Sequence, residues 1–391
     1  MERIYLDNAA TTKVDERVLK AMQPFFLEKF GNASSQHFLG QEAGMALEES
    51  REIIAKSIRG KSDEIFFTGS GTESNNWVIK GVGFENLASG KNHIITTKIE
   101  HDCVLNSCRW IEKQGFEVTY LDVDKEGFVN PEDVRNAITD KTVLVSVIHG
   151  NNEIGTIQDI EAIGKICRER GVYFHIDACQ SYTKVPIDVR KQNLDLVTLN
   201  AHKINGPKGV GALYIREGTK ISPLIHGGKQ ESGMRSGTEN IPGIVGFAKA
   251  VKISNPRYIR NMTKLRDKLI YEISKIPYSR LNGPRGEKRL CNNINFSFEA
   301  IEGEAIGAYL DVSKICSSTG SACSSRSLEP SHVLKALGLS PLNLNSSIRL
   351  SLGKDNTEEE IDYVIKTLRH VILKLRKVSP FKLKYDGKEK N

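Results

Sequence analysis

The chain has 391 residues, of which 39% are hydrophobic and 26% are charged, and its formal net charge is +7 at pH 7. This length favours two domains, and the composition is that of a globular protein. The mild positive charge lacks the concentrated basic face of a nucleic-acid-binding protein, so direct binding of nucleic acid is not expected.

Neither the start of the chain nor any later stretch carries a targeting or membrane signal. The first residues lack the apolar run of a secretory signal, and no stretch reaches the ~20 apolar residues of a membrane-spanning helix. We therefore expect a cytoplasmic protein without membrane contact. The seven cysteines include no CxxC pair, so neither disulfides nor a metal site are expected.

The predicted elements begin with an amphipathic helix and then alternate short β-rich runs with helical stretches. This alternation predicts an α/β domain with a mostly parallel sheet. The helix is predicted at 41–58, the strands at 65–68, 93–97, 143–148, 172–176, 196–199 and 211–215, and two further helices at 72–82 and 102–113.

The segment 253–256, which contains Asn-Pro, indicates a domain boundary. The elements after it predict a smaller α/β domain. They are a helix at 258–276, strands at 293–298 and 348–352, and an amphipathic helix at 357–377.

A loop rich in glycine and hydroxyl side chains, residues 68–75, lies between a predicted strand and a predicted helix. Gly71 lets the backbone approach an anion, and the first amides of the helix, near Thr72, favour negative charge there. The loop is equally consistent with a tight turn and a good N-cap. This motif alone does not separate a phosphate site from a structural turn.

Asp177 and Lys203 follow two predicted strands of the same domain. An acid at the carboxyl end of a parallel strand lies where α/β sheets bind ligands, although it can also cap the next helix. A loop lysine is more often a solvated charge than a functional group. Together with loop 68–75, however, they are the three parts of a pyridoxal phosphate (PLP) site: a Schiff-base lysine, an acid for the pyridine nitrogen and a phosphate cradle.

The order of these motifs resembles the class V aminotransferases and is most similar to the cysteine desulfurases of the NifS/IscS type. The resemblance runs almost end to end. It implies the fold-type-I fold of PLP-dependent transferases, an α/β fold with a mostly parallel seven-stranded sheet in the large domain and a smaller C-terminal α/β domain. The motifs that carry it are residues 5–12, 31–35, 68–75, 100–102, 151–155, 175–180, 201–209, 235–240, 317–323 and 346–353.

On this resemblance we expect a large PLP-binding domain at 13–256 and a small domain formed by 1–12 and 257–378. Residues 379–391 are polar and rich in lysine, which predicts a mobile tail.

The resemblance also implies roles for individual residues at the cofactor. Lys203 is implied to carry PLP as a Schiff base and then to transfer protons, while Asp177 bonds to the pyridine nitrogen. His101 is implied to stack on the cofactor ring and to act in catalysis. The other implied cofactor contacts are Gln180 and Asn152 beside the phenolic oxygen, and Gly71, Thr72, Asn200 and His202 at the phosphate.

Three further positions follow from the same resemblance. Thr238 matches a threonine that reaches the phosphate of the neighbouring subunit, which implies a homodimer. Arg349 matches an arginine that binds the substrate carboxylate as a planar fork, near Asn152; a surface salt bridge is the alternative. Asn200 stands where the family has a serine, and its longer amide side chain can still donate to phosphate.

Cys323 lies in a stretch of serine and other small residues without apolar periodicity, 317–328, which predicts a mobile surface loop. A thiolate that takes sulfur from a substrate and then delivers it elsewhere needs such a loop. The resemblance therefore implies that Cys323 carries the persulfide. Cys316, next to Ile315 in a strand-like run, is predicted to be buried instead.

The implied activity converts L-cysteine to L-alanine and passes the sulfur through Cys323 to an iron–sulfur scaffold protein or to tRNA thiolation. A selenocysteine lyase or another class V PLP enzyme is the nearest alternative. A PLP-free scaffold that binds assembly proteins is the alternative from another class. Lys203 argues against the scaffold, and the loop cysteine argues against transamination.

Overall fold

The computed structural model describes residues 3–319 and 330–381. Twelve strands lie in these ranges: β1 Ile4–Tyr5, β2 Ile65–Thr68, β3 His93–Thr97, β4 Glu117–Leu121, β5 Thr142–Ile148, β6 Tyr173–Asp177, β7 Leu196–Asn200, β8 Gly211–Ile215, β9 Ser279–Leu281, β10 Asn293–Phe298, β11 Ile315–Cys316 and β12 Ser347–Ser351.

The same ranges contain fourteen α-helices. They are α1 Glu16–Met22, α2 Pro24–Leu27, α3 Phe38–Ser57, α4 Gly71–Trp77, α5 Gly83–Asn86, α6 Asp102–Glu112, α7 Pro131–Ala137, α8 Ile160–Arg170, α9 Ile241–Lys252, α10 Pro256–Ile273, α11 Gly303–Val312, α12 His332–Ala336, α13 Pro341–Leu344 and α14 Glu358–Val378. A π-helical turn, Val78–Val82, joins α4 to α5.

The large sheet has seven strands in the order β2-β8-β7-β6-β5-β3-β4. Only β8 among them runs antiparallel to its neighbours, so the predicted mostly parallel sheet is confirmed. Strands β2, β3 and β8 have the predicted bounds. Strand β4 was not predicted from the sequence; it lies at the sheet edge, and its half-exposed polar residues lack the apolar run of the central strands.

Helices cover both faces of the large sheet because its strands are apolar on both sides. Along β7, Val197 and Leu199 join one core cluster, with α3, α8 and α9, while Leu196 joins the opposite cluster. Trp77 is fully buried in that second cluster, which α4 and α6 line. Burial of each such large side chain contributes about 1.5–3 kcal/mol to the free energy of unfolding.

A second sheet, in the order β12-β10-β9, is antiparallel and has its own core. Helices α10 and α14 contribute residues such as Leu265 and Leu368 to the core cluster that also contains Phe296 of β10. The first strand of the chain joins this part of the molecule, since β1 pairs with β11 and Asp7 forms a bridge with Ser351. The N-terminal segment thereby lies between the two sheets.

Cys316 differs from its predicted burial, because it is partly exposed. Strand β11 has only two residues, and successive side chains of a strand point to opposite sides. Ile315 takes the core side and is fully buried, so Cys316 faces outward.

Candidate active site

A cavity of about 350 Å³ lies at the carboxyl ends of β5, β6 and β7, between the large sheet and the small one. This is the edge where open α/β sheets bind ligands, and the volume suits a small molecule. The cavity is lined by Ala9, Ala10, Ser70, Gly71, Thr72, Asn75, Glu100, His101, Asp102, Cys103, Ile148, Asn152, Glu153, Asp177, Cys179, Gln180, Asn200, His202, Lys203, His332 and Arg349.

Asp177 is the last residue of β6 and is 4% exposed. Its Oδ1 accepts a hydrogen bond from the backbone amide of Cys179 at 2.9 Å. Its Oδ2 accepts one from Asn75 Nδ2 at 2.7 Å. The carboxylate is therefore fixed in orientation at the bottom of the cavity.

Lys203 lies in the turn after β7. Its ammonium donates to the carbonyl oxygen of Ala9 and, at 2.6 Å, to that of Ala10. Gln180 Nε2 donates to the same Ala9 oxygen at 2.8 Å. The N-terminal segment thus holds the lysine and Gln180 side by side on one wall of the cavity.

His101 is the N-cap of α6, and its Nδ1 accepts the backbone amide hydrogen of Cys103 at 3.2 Å. The Cys103 thiol lies 3.0 Å from the same nitrogen. On its other side this thiol accepts from Asn75 Nδ2 at 3.1 Å. Cys103, Asn75 and Cys179 all line the cavity, although none was predicted from the sequence.

The loop before α4 forms a tight corner of the cavity. Ser70 caps the helix by accepting the amide hydrogen of Glu73 at 3.1 Å. A Cβ added to Gly71 would lie 2.5 Å from Cys179 Sγ, so only glycine fits here. Asn200 closes the corner, and its buried Oδ1 has no hydrogen-bond partner among the described residues.

His202 lies beside this corner, with its Nδ1 3.2 Å from Thr11 Oγ1. Burial lowers the pKa of His202 to about 4, and the positive charges of Lys203, Lys208 and Lys184 act in the same direction. The imidazole is therefore neutral at pH 7 and can still donate one hydrogen bond to an anion.

Asp177 and Lys203 line the side of the cavity formed by the large sheet, here called the large-sheet wall. Arg349, in the middle of β12, lines the opposite side, the small-sheet wall. Its guanidinium donates to Asp7 Oδ1 at 3.0 Å and to the carbonyl oxygen of Asn152 at 3.2 Å. Its buried Nε has no partner among the described residues. Two hydrogen bonds thus hold the planar fork in place, and its Nε–H pairs with none of the described residues.

One predicted site residue among those that the structure describes does not line the cavity, and another cannot be placed. Thr238 is exposed and does not line it. Cys323 lies outside the described residues. No group of three metal-binding side chains occurs within residues 3–319 and 330–381, and no helix there is long and apolar enough to cross a membrane.

Glu100 is a buried site residue whose protonation state was not predicted from the sequence. Its Oε1 accepts from Thr97 Oγ1 at 2.7 Å and from the Ile148 amide at 2.8 Å, while Oε2 has no partner among the described residues. Burial outweighs these bonds and raises the pKa of Glu100 to about 8. In the sequence, only its place beside His101 in the motif 100–102 could have indicated that Glu100 belongs to the site.

These residues fit PLP. Gly71 leaves a backbone-lined corner at a helix N-terminus for a phosphate, Asp177 offers a fixed carboxylate, and the Lys203 amine faces the cavity between them. With a mostly parallel seven-stranded sheet, they define the class of fold-type-I PLP enzymes.

Comparison with known proteins agrees with this class. The family model "Aminotransferase class-V" matches residues 4–364, and the chain belongs to this family, whose members use PLP. Cysteine desulfurase IscS of Dictyoglomus turgidum is 52% identical, over 99% of each chain. Cysteine desulfurase IscS of Methanosarcina thermophila is 51% identical, over 96% of this chain and 94% of the relative.

Solved structures give the same result. One described as a NifS-like protein superposes with a TM-score of 0.89 and 41% identity, covering 95% of this chain and all of that one. The structure of SspA in complex with cysteine superposes with a TM-score of 0.82 and 39% identity, covering 90% of this chain and all of the other.

Proposed function

We propose that this chain is a PLP-dependent cysteine desulfurase, which converts L-cysteine to L-alanine and passes the sulfur to Cys323. The observation that carries this proposal is the convergence of Lys203, Asp177 and Arg349 on one cavity. Such a cavity offers an amine, an acid and a carboxylate-binding fork to an amino acid and its cofactor. The names of the relatives supply the substrate, and the SspA structure was solved with cysteine.

When bound, PLP supplies a sink for the electron pair of the substrate Cα. Asp177 keeps the pyridine nitrogen protonated, which it can do because its carboxylate is fixed by two hydrogen bonds. Lys203 would hold the cofactor covalently and then move protons at its Nζ. His101 would stack on the cofactor ring. Gln180 and Asn152 would contact the phenolic oxygen, and the phosphate would be held by Gly71, Thr72, Asn200 and His202.

Arg349 binds and orients the substrate carboxylate. Asp7 and the Asn152 carbonyl already hold its guanidinium, so little side-chain entropy is lost when the carboxylate binds. Arginine suits this role because its planar donors match the two oxygens of a carboxylate.

Cys323 takes the sulfur in the second part of the reaction. Its thiolate forms a bond with the substrate sulfur as the C–S bond breaks, and the electrons of that bond stay with the substrate carbon. Protonation of this carbon gives alanine, and the enzyme keeps a persulfide. Sulfur then passes to an acceptor, an iron–sulfur scaffold protein or a tRNA-thiolation protein.

The active form in this proposal is a cytoplasmic homodimer. Persulfide chemistry requires reduced thiols, which the cytoplasm maintains. Thr238 is exposed and away from the cavity of its own chain, which suits contact with the partner's phosphate. Sedimentation at working concentration tests the dimer, and a fully active monomer would contradict it.

Product analysis tests the activity. The PLP-loaded protein, incubated with L-cysteine and a thiol reductant, should release alanine and sulfide in equal amounts and no keto acid. Parallel assays with selenocysteine separate a selenocysteine lyase from a desulfurase. A protein that retains no PLP would instead be a scaffold.

Substitution of the carrier thiol sharpens the test. Cys323→Ser should retain PLP and still bind cysteine, but its sulfide release should fall by about 10²-fold or more, because a hydroxyl cannot accept sulfur. The partly exposed Cys316 is the matched control, and Cys316→Ser should remain active. Normal turnover by Cys323→Ser, or mass-spectrometric detection of the added sulfur on Cys316, would contradict the assignment.

A further inference from the structure

Four residues of the cavity form a continuous chain of hydrogen bonds that joins Asp177 to His101. Asn75 Nδ2 donates one hydrogen to Asp177 Oδ2 at 2.7 Å and its other hydrogen to Cys103 Sγ at 3.1 Å. The Cys103 thiol in turn lies 3.0 Å from His101 Nδ1. The four side chains come from α4, the start of α6 and the end of β6.

Chemistry sets the direction of every bond in this chain. A carboxylate only accepts, so the fully buried Asn75 amide must turn its NH₂ group toward Asp177. His101 Nδ1 accepts the backbone amide hydrogen of Cys103 at 3.2 Å, and a backbone amide can only donate. Nδ1 therefore carries no hydrogen, and the thiol hydrogen of Cys103 points to it.

We propose that Cys103 and Asn75 are positioning residues that hold His101 in the tautomer with its proton on Nε2 and couple its ring to Asp177. This inference rests on the proposed function only for its catalytic consequence. In this tautomer His101 donates a proton from Nε2, and it cannot take one on Nδ1 without losing both bonds to Cys103. Proton transfer by His101 then proceeds through Nε2.

Nitrogen NMR of the PLP-loaded protein with ¹⁵N-labelled histidine tests the tautomer directly. The chain has nine histidines, and the signals lost in His101→Gln assign the ring. We expect an unprotonated, hydrogen-bonded Nδ1 and a protonated Nε2. In Cys103→Ala the Nδ1 signal should move toward that of a less hydrogen-bonded nitrogen, and in Cys103→Ser it should return, because serine restores the donor.

Kinetics give the second readout. Loss of one hydrogen bond should lower kcat of Cys103→Ala about five-fold with KM nearly unchanged, and Cys103→Ser should recover most of it. Asn106→Ala, exposed and one turn further along α6, is the control and should match the unmodified enzyme in both readouts.

Two results would overturn the proposal: a protonated Nδ1 in the unmodified protein, or a Cys103→Ala variant whose Nδ1 signal and kcat are unchanged. Absence of desulfuration in the unmodified protein would instead contradict the proposed function, because the NMR signals report the tautomer without turnover.

Discussion

Asp177 on the large-sheet wall and Arg349 on the small-sheet wall face the same cavity with opposite charges, but they are held differently. Both oxygens of Asp177 accept hydrogen bonds from the protein. Arg349 makes two side-chain hydrogen bonds, and its Nε has no partner in the described part of the chain. The orientation of the Asp177 carboxylate is thus fixed before any ligand binds, whereas the arginine has an N–H donor that pairs with none of the described residues.

Ser318, Ser331 and His332 make contacts with residues on both sides of the cavity. The backbone of Arg349 bonds in both directions with that of Ser318, and Ser331 Oγ donates to Glu153 Oε2 at 2.5 Å. His332 Nε2 donates to the Glu100 carbonyl at 2.8 Å. Under the proposed function, this difference suits a large-sheet side that holds the cofactor and a small-sheet side that binds the substrate carboxylate.

The largest effect should come from removing the amine of the large-sheet wall. Lys203→Ala should lose covalent PLP and lower desulfuration by about 10³-fold or more, because Lys203 is the residue proposed both to hold the cofactor and to move the proton. Borohydride reduction followed by peptide mass spectrometry checks the attachment. Lys208→Ala, an exposed lysine of the same segment, is the control, and attachment of PLP to Lys208 would contradict the assignment.

A smaller effect, on substrate binding rather than on cofactor attachment, should come from substitution of Arg349 in the small-sheet wall. Arg349→Lys keeps the charge but loses the planar fork, so KM for cysteine should rise about 10- to 100-fold while PLP retention stays unchanged. Steady-state kinetics and cofactor absorbance measure the two quantities separately. Loss of PLP with an unchanged KM would mean that Arg349 helps to hold the cofactor and does not bind the substrate carboxylate.

The sequence predicted the large-sheet wall more completely than the small one. Asp177 ends one apolar strand and Lys203 follows another; the bounds of both strands were predicted to within one residue, and sheet topology brings the two residues to one edge. The motifs also predicted that Arg349 belongs to the site, but they did not predict the hydrogen bond to Asp7 that orients its side chain. Asp7 and Arg349 are 342 positions apart, and no local pattern indicates that they meet.

The hydrogen-bond chain through Cys103 could not be predicted for the same reason. It needs Asn75, Cys103 and Asp177 to approach within hydrogen-bond distance across three elements. Cys103 alone predicts only a small, partly buried thiol. The protonation state of Glu100 likewise depends on its burial, which arises only once the chain has folded.

The last expected effect concerns stability rather than turnover, and it tests that burial. Glu100 has a raised pKa of about 8 in the folded chain, against an ordinary value of 4.5. Between these values the folded state holds one more proton than the unfolded state, so the free energy of unfolding falls as pH rises, by about 5 kcal/mol at most. Glu100→Gln keeps the acceptor for Thr97 and Ile148 but does not titrate.

The melting temperature of Glu100→Gln should therefore exceed that of the unmodified protein by a margin that grows from pH 5 to pH 8 and is constant above it. Thermal unfolding of both proteins across this range, each loaded with PLP, measures the margin. Glu161→Gln changes an exposed carboxylate and should show no such trend. A margin that stays flat or shrinks with rising pH would mean that Glu100 is already ionised in the folded protein.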